Sequence, residues 1–143
     1  LLRVDASARG RMLITPRKPL VILGHPLIDS DHSAFLEAVS GLIESDNVSF
    51  PTLLRALLTQ TEQHFERENA LMVEHAFPGL REHRAEHVRV IGEFHQFMGR
   101  VDRGFLQFGR LFVIERLVPW FELHVPTMDS ALTAHLEKQR QVG

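Results

Sequence analysis

Residues 64–87 read HFERENALMVEHAFPGLREHRAEH, and the spacing within them decides how the chain is built. His64 and Glu68 stand four residues apart, as do His83 and His87, with Pro78-Gly79 between the pairs. On an α-helix, residues i and i+4 lie about 40° apart around the axis and roughly 6 Å along it, so each pair projects from one face. Leu53, Leu54, Leu57, Leu58, Thr61, Phe65, Leu71 and Met72 continue the stripe of His64 and Glu68 at helical spacing. That stripe predicts a long amphipathic helix whose buried side carries both polar residues. Val90, Ile91, Phe94 and Phe97 or Met98 extend the face of His83 and His87 in the same way. Two helices joined by a short Pro-Gly turn aim both pairs at one space. Glu62, Glu66 and Arg67 fall off the stripe and are expected on the solvated side.

Working outward, a first helix is expected from Asp29 or Ser30, both good N-caps, to about Glu44. Its inward side carries Phe35, Leu36, Val39, Leu42 and Ile43, with His32 one turn earlier. Residues 45–49 form a loop, and Ser49 as N-cap with Pro51 near the start opens the second helix. The third helix runs over residues 80–100, and a Gly-containing link precedes a last helical region over 105–138. Pro119 should kink that region and Pro126 should disturb it again just past His124. Residues 13–28 hold Pro16, Pro19 and Pro26 and cannot be one helix. The expected fold is therefore all-α: an up-down-up-down antiparallel four-helix bundle with an extended N-terminal arm. Its expected divisions are residues 1–11, an added remnant or disordered tail with Met12 as the natural start; 12–28, the arm; and 29–143, the bundle.

Composition removes several functional classes. At 143 residues the chain suits one domain. A net charge of −2 gives no basic surface for nucleic acid or anionic membrane, and no apolar run reaches the length of a membrane span. Cysteine is absent, which excludes disulfides, thiol catalysis and sulfur-ligated metals. Nine histidines are present, and neutral imidazole is the commonest metal ligand among side chains.

The inward metal-capable residues are His32, His64, Glu68, His83 and His87, and the last helix adds His124 and Asp129 within WFELHVPTMD at residues 120–129. Taken singly, an inward histidine is most simply a core residue with a satisfied hydrogen bond, and an H-x-x-x-E pair is a surface ion pair. Taken together, five imidazoles and two carboxylates in an apolar interior carry a heavy desolvation cost unless something binds them. Seven ligands are too many for one zinc ion, whereas two metals bridged by the two carboxylates account for all seven.

The motifs IDSDH (28–32), HFERE (64–68), HRAEH (83–87) and WFELHVPTMD (120–129) together resemble the hemerythrin family, in its single-domain bacteriohemerythrin form. The resemblance implies a non-haem di-iron protein with an oxo or hydroxo bridge. His83, His87 and His124 would hold one iron, His32 and His64 the other, and Glu68 and Asp129 would bridge them. Counting ligands leaves one open position, on the iron of His32 and His64, where dioxygen would bind reversibly for carriage, storage or delivery. Candidates for an apolar wall around it are Phe35, Phe65, Trp120, Phe121 and Val125, each beside a ligand in sequence; ordinary core packing is the plainer reading of any one of them. Alternatives are a sensor of oxygen, nitric oxide or redox state acting through a partner, and an enzyme consuming peroxide or nitric oxide. A cytoplasmic monomer or weak homo-oligomer is expected, with an oxygen-using enzyme or a signalling protein as its partner.

Two departures from the family stand out. The arm lacks an aromatic anchor, and His25 sits near the family's small-residue position, either approaching the site or capping the pocket mouth. Residues i and i+5 on a straight α-helix point about 140° apart, so Asp129 needs a bend or a long reach to meet the metal of His124, and Pro126 could supply the bend. His75, His95 and His135 match no ligand position, and surface or helix-end roles suit them.

Overall fold

The computed structural model of the chain describes residues 2–6, 12–16 and 21–142. Strands β1 (Leu2–Ala6) and β2 (Met12–Pro16) pair antiparallel, with Leu2 opposite Pro16 and Ala6 opposite Met12. The expected division at residue 12 falls inside this hairpin. Residues 17–20 of the expected arm lie outside the described residues.

Helix α1 spans Pro26–Glu44 and starts before the expected Asp29 or Ser30. Pro26 suits the first turn, where its missing N–H would have no partner anyway. His25 is the N-cap, its Nδ1 accepting from the Ile28 amide at 3.3 Å. Asp29, in the first turn, instead accepts from the Leu23 amide at 2.8 Å and the Gly24 amide at 3.0 Å, which ties the incoming chain down.

Helix α2 spans Phe50–Glu74 and α3 spans Leu80–Asp102. Ser49 stands at the N-cap of α2 without a side-chain capping bond. Asp46 does the anchoring, its Oδ1 accepting from the Ser49 amide at 2.8 Å. Helix α3 is followed by Arg103 as its C-cap and by Gly104, whose φ of +93° is a left-handed conformation that glycine adopts without steric cost.

The last helical region is built in five pieces: α4 (Leu106–Phe112), a π-helical segment (Val113–Leu117), α5 (Val118–His124), a second π segment (Val125–Asp129) and α6 (Ser130–Val142). Each proline acts here through a widened turn. Pro119 offers no N–H to the carbonyl four residues back, and the Val118 amide bonds Val113, five residues back. Around Pro126 the Ser130 amide likewise reaches the Val125 carbonyl, while the Thr127 hydroxyl covers the Leu123 carbonyl at 2.6 Å.

Buried side chains fall into two apolar clusters. The larger includes Phe35, Leu57, Phe65, Val90, Phe94, Phe121 and Val125. The smaller is Ile28, Met72 and Leu132, flanked by Leu71, Phe77 and Leu80. Along each helix the metal-capable residues lie between the two: His32 follows Ile28 and precedes Phe35, and Glu68 lies between Phe65 and Met72. His83 and His87 lie between Leu80 and Val90, and Asp129 between Val125 and Leu132. A polar layer is thus closed above and below by hydrocarbon.

Candidate metal centre

Seven residues from four helical regions meet in that layer, and six of them are buried, with His64 partly so. They form two groups, each with ligand atoms within 4.8 Å of one another: Glu68, His83, His87, His124 and Asp129 in one, and His32, His64, Glu68 and Asp129 in the other. The carboxylates belong to both because each divides its oxygens. Glu68 Oε2 lies 2.9 Å from His64 Nε2, while Oε1 lies 3.2 Å from His87 Nε2 and 3.3 Å from His83 Nε2. Asp129 Oδ2 lies 2.9 Å from His32 Nε2, while Oδ1 lies 3.0 Å from His124 Nε2 and 3.1 Å from His83 Nε2.

The π segment explains how Asp129 joins His124. With α-helical winding, residues five apart diverge by about 140°. A turn closed by an i to i+5 bond is wider, so residues five apart come nearly into line, and the two side chains meet.

The donor set fits a cation. The Nε2 atoms of His83, His87 and His124, both Glu68 oxygens and Asp129 Oδ1 are buried with no hydrogen bond of acceptable geometry. Leaving such groups unsatisfied is costly, and an ion on which they converge satisfies them. Nitrogen and carboxylate donors without sulfur suit iron and equally accept manganese, cobalt or zinc.

Without metal, the layer is held together by charge. Burial opposes the charged form of His64 and His83, but Glu68, Asp31 and Asp129 override it at His64, Asp129 and Glu68 override it at His83, and both pKa values rise to about 9. Burial likewise opposes ionisation of Glu68 and Asp129, and their histidine partners hold both below the usual carboxylate range. His87 is lowered, chiefly by burial.

The outer contacts are mostly ones that residue patterns do not reveal. His64 Nδ1 donates to Asp31 Oδ2 at 2.9 Å, and Arg67 pairs with both Asp31 oxygens at 2.8 and 3.0 Å. Arg67, expected on the solvated side, is therefore a cross-helix partner, with its side chain 40% exposed. His87 Nδ1 donates to Asn69 Oδ1 at 3.0 Å. Asp31 and Asn69 each adjoin one of the seven residues in sequence, and one residue along a helix turns about 100°, which points them at a neighbouring helix. Phe65 stacks on His87 with centroids 3.9 Å apart, and Trp120 stacks on His124 at 4.3 Å. Trp120 Nε1 donates to Glu86 at 2.7 Å.

A cavity of about 50 Å³ adjoins the centre. His32 and His64 line it, with His124 and Asp129, whereas His83 and His87 do not. Phe35, Phe65, Trp120 and Phe121 line it, together with Thr61 and Gln60. Val125 is outside the lining and belongs to the larger apolar cluster. His25 is engaged as a helix cap and lines a separate groove with His75 and Leu136. His135 donates to the His75 carbonyl at 2.8 Å, and His95 is exposed.

Comparison with known proteins points the same way as the geometry. The family model described as the hemerythrin HHE cation binding domain matches residues 23–136. A bacteriohemerythrin of Ralstonia nicotianae is 34% identical over 117 residues, which cover 82% of this chain and 85% of that protein. No helix among the described residues is long and apolar enough to cross a membrane.

Proposed function

The chain belongs to the hemerythrin family, and from that premise we propose that its seven ligands hold two iron ions and that the protein binds dioxygen reversibly. His83, His87 and His124 serve one ion, His32 and His64 the other, and Glu68 and Asp129 bridge. The divided carboxylate oxygens support the bridging roles. The up-down-up-down order is supported by the sequence of small cluster, ligand and large cluster, which reverses from each helical region to the next.

One observation carries the dioxygen reading: the cavity adjoins both histidines of the pair with fewer ligands, and of the other three only His124. A water molecule needs about 10–15 Å³ on this measure, so a diatomic fits within about 50 Å³. The two reduced irons held by these seven residues would supply, one electron each, the pair that dioxygen takes up on binding and returns on release. The protein's part is to orient and to exclude. Phe35, Phe65, Phe121 and Trp120 keep the inner wall free of water. The Thr61 hydroxyl is committed to the Leu57 carbonyl at 2.7 Å, so the wall presents no free proton donor at that point. This favours binding and release over turnover, in a cytoplasmic carrier or store.

Anaerobic reduction, exposure to oxygen and deoxygenation should produce and then erase an oxygenated spectrum in protein holding two irons per chain. Irreversible oxidation within seconds would sink the carrier reading.

A further inference from the structure

The five histidines of the centre are not held alike. His64 alone has a carboxylate behind it: its Nδ1 donates to Asp31 at 2.9 Å. His87 has a neutral amide oxygen, and the Nδ1 atoms of His32, His83 and His124 find no hydrogen-bond partner among the described residues. Asp31 is in turn gripped through both oxygens by Arg67, one turn from His64 on α2. Helix α1 therefore supplies a ligand with His32 and, one residue earlier, a brace for a ligand on its neighbour. The brace stands at the rim of the cavity, which Asp31, His64 and Arg67 all line.

We propose that Asp31 is a positioning residue for His64, locked by Arg67, and that this Asp31–Arg67 clasp keeps the cavity-side metal position able to hold its ion. The proposal rests on the two-metal reading above. Its physical content is simple. His64 is the least buried of the ligand histidines, its side chain 14% exposed against 1% for His32 and His83. A ring at the surface can turn over or take its Nδ1–H to water. A carboxylate acceptor fixes the tautomer, directs Nε2 inward and makes the ring a stronger donor. Arg67 fixes the acceptor, since a bidentate guanidinium–carboxylate pair sets the plane of both groups. Because this position has only two histidines, a misdirected His64 removes half of its nitrogen ligands.

The test is a zinc titration of the metal-free protein by calorimetry, with the His64 Nδ1–H resonance followed by NMR in the zinc-loaded state. Wild type should take two ions and show a protected Nδ1–H on His64. Asp31→Ala should weaken one of the two binding steps by about 10–100-fold, leave the other unchanged and remove the Nδ1–H signal. Asp31→Asn, which keeps an acceptor oxygen, should recover most of the loss. Arg67→Met should give a smaller weakening of the same step while circular dichroism reports an intact helical fold. Unchanged constants for Asp31→Ala, or an equal loss at both steps, would overturn the proposal while two-ion binding by wild type still stood. A wild-type chain that took only one ion would overturn the two-metal reading and the proposal with it.

Discussion

Loading the metal-free protein with metal should release about two protons per chain at pH 7. Of the groups in the layer whose pKa values shift, only His64 and His83 are raised, both to about 9, by the Glu68 and Asp129 carboxylates, joined at His64 by Asp31, acting against burial. Two units below that pKa, each ring is about 99% protonated. Coordination requires neutral imidazole, so both protons must leave. His87 is shifted down, and Glu68 and Asp129 are held ionised, so these three add nothing to the count. The loading constant should then rise by about two log units per pH unit below pH 9 and flatten above it. Zinc calorimetry in buffers of different ionisation heat counts the protons directly, repeated between about pH 7 and about pH 10. Release of well under one proton at pH 7, or a release that does not change on passing pH 9, would refute the charge pairing described here.

The same shifts govern the stability of the metal-free protein. A raised pKa contributes stability that is full below 6.5 and lost as pH rises through about 9. The lowered Glu68 contributes stability present above its ordinary 4.5 and lost on acidification. Thermal melts should therefore show a maximum between these limits, and metal loading should flatten the alkaline side. Glu68→Ala removes an oxygen from both groups at once, so iron analysis should fall from two per chain to at most one, with no oxygenated spectrum. His64→Ala should lose the cavity-side iron and oxygen binding with it, and keep about one iron per chain. Thr61→Leu extends a wall residue into a cavity of about 50 Å³. If the overpacking cost of about 1–3 kcal/mol falls on the bound state, dioxygen affinity should weaken by about 5–150-fold with iron content unchanged, as oxygen titration would show. Gly109→Ala places a methyl against Val101 and 2.9 Å from Phe50 Cε1. It should cost about 1–3 kcal/mol in denaturant unfolding and leave the iron spectrum as it was.

The convergence of the metal-capable residues on α2 and α3 was legible because a four-residue step on an amphipathic helix has a single geometric meaning. His124 and Asp129 were legible as residue types but not as geometry. Their five-residue step is productive only on the widened turn at Val125–Asp129, and a proline predicts disturbance without saying whether it bends the axis or expands the turn. The start of α1 was misjudged for a related reason. Asp29 has an N-cap side chain, yet it bonds backward to Leu23 and Gly24, and the capping is done by His25, an uncommon cap type. Arg67 lies off the apolar stripe, and periodicity alone assigns it to solvent. Its pairing with Asp31 depends on how α1 and α2 are aligned, which no single helix encodes. Adjacency in sequence to metal-capable residues suggests Phe35, Phe65, Trp120, Phe121 and Val125 alike; the first four line the cavity, and Val125 packs in the larger apolar cluster.

The chain has one tryptophan and no tyrosine, and that tryptophan lies with its ring 4.3 Å from the imidazole of His124, nearly parallel at 21°. Its near-ultraviolet emission therefore comes from a single indole in face contact with one metal-capable ring. The molecule carries its own optical gauge. Occupancy beside His124 can be followed in unlabelled protein, at low concentration and in the stopped-flow time range.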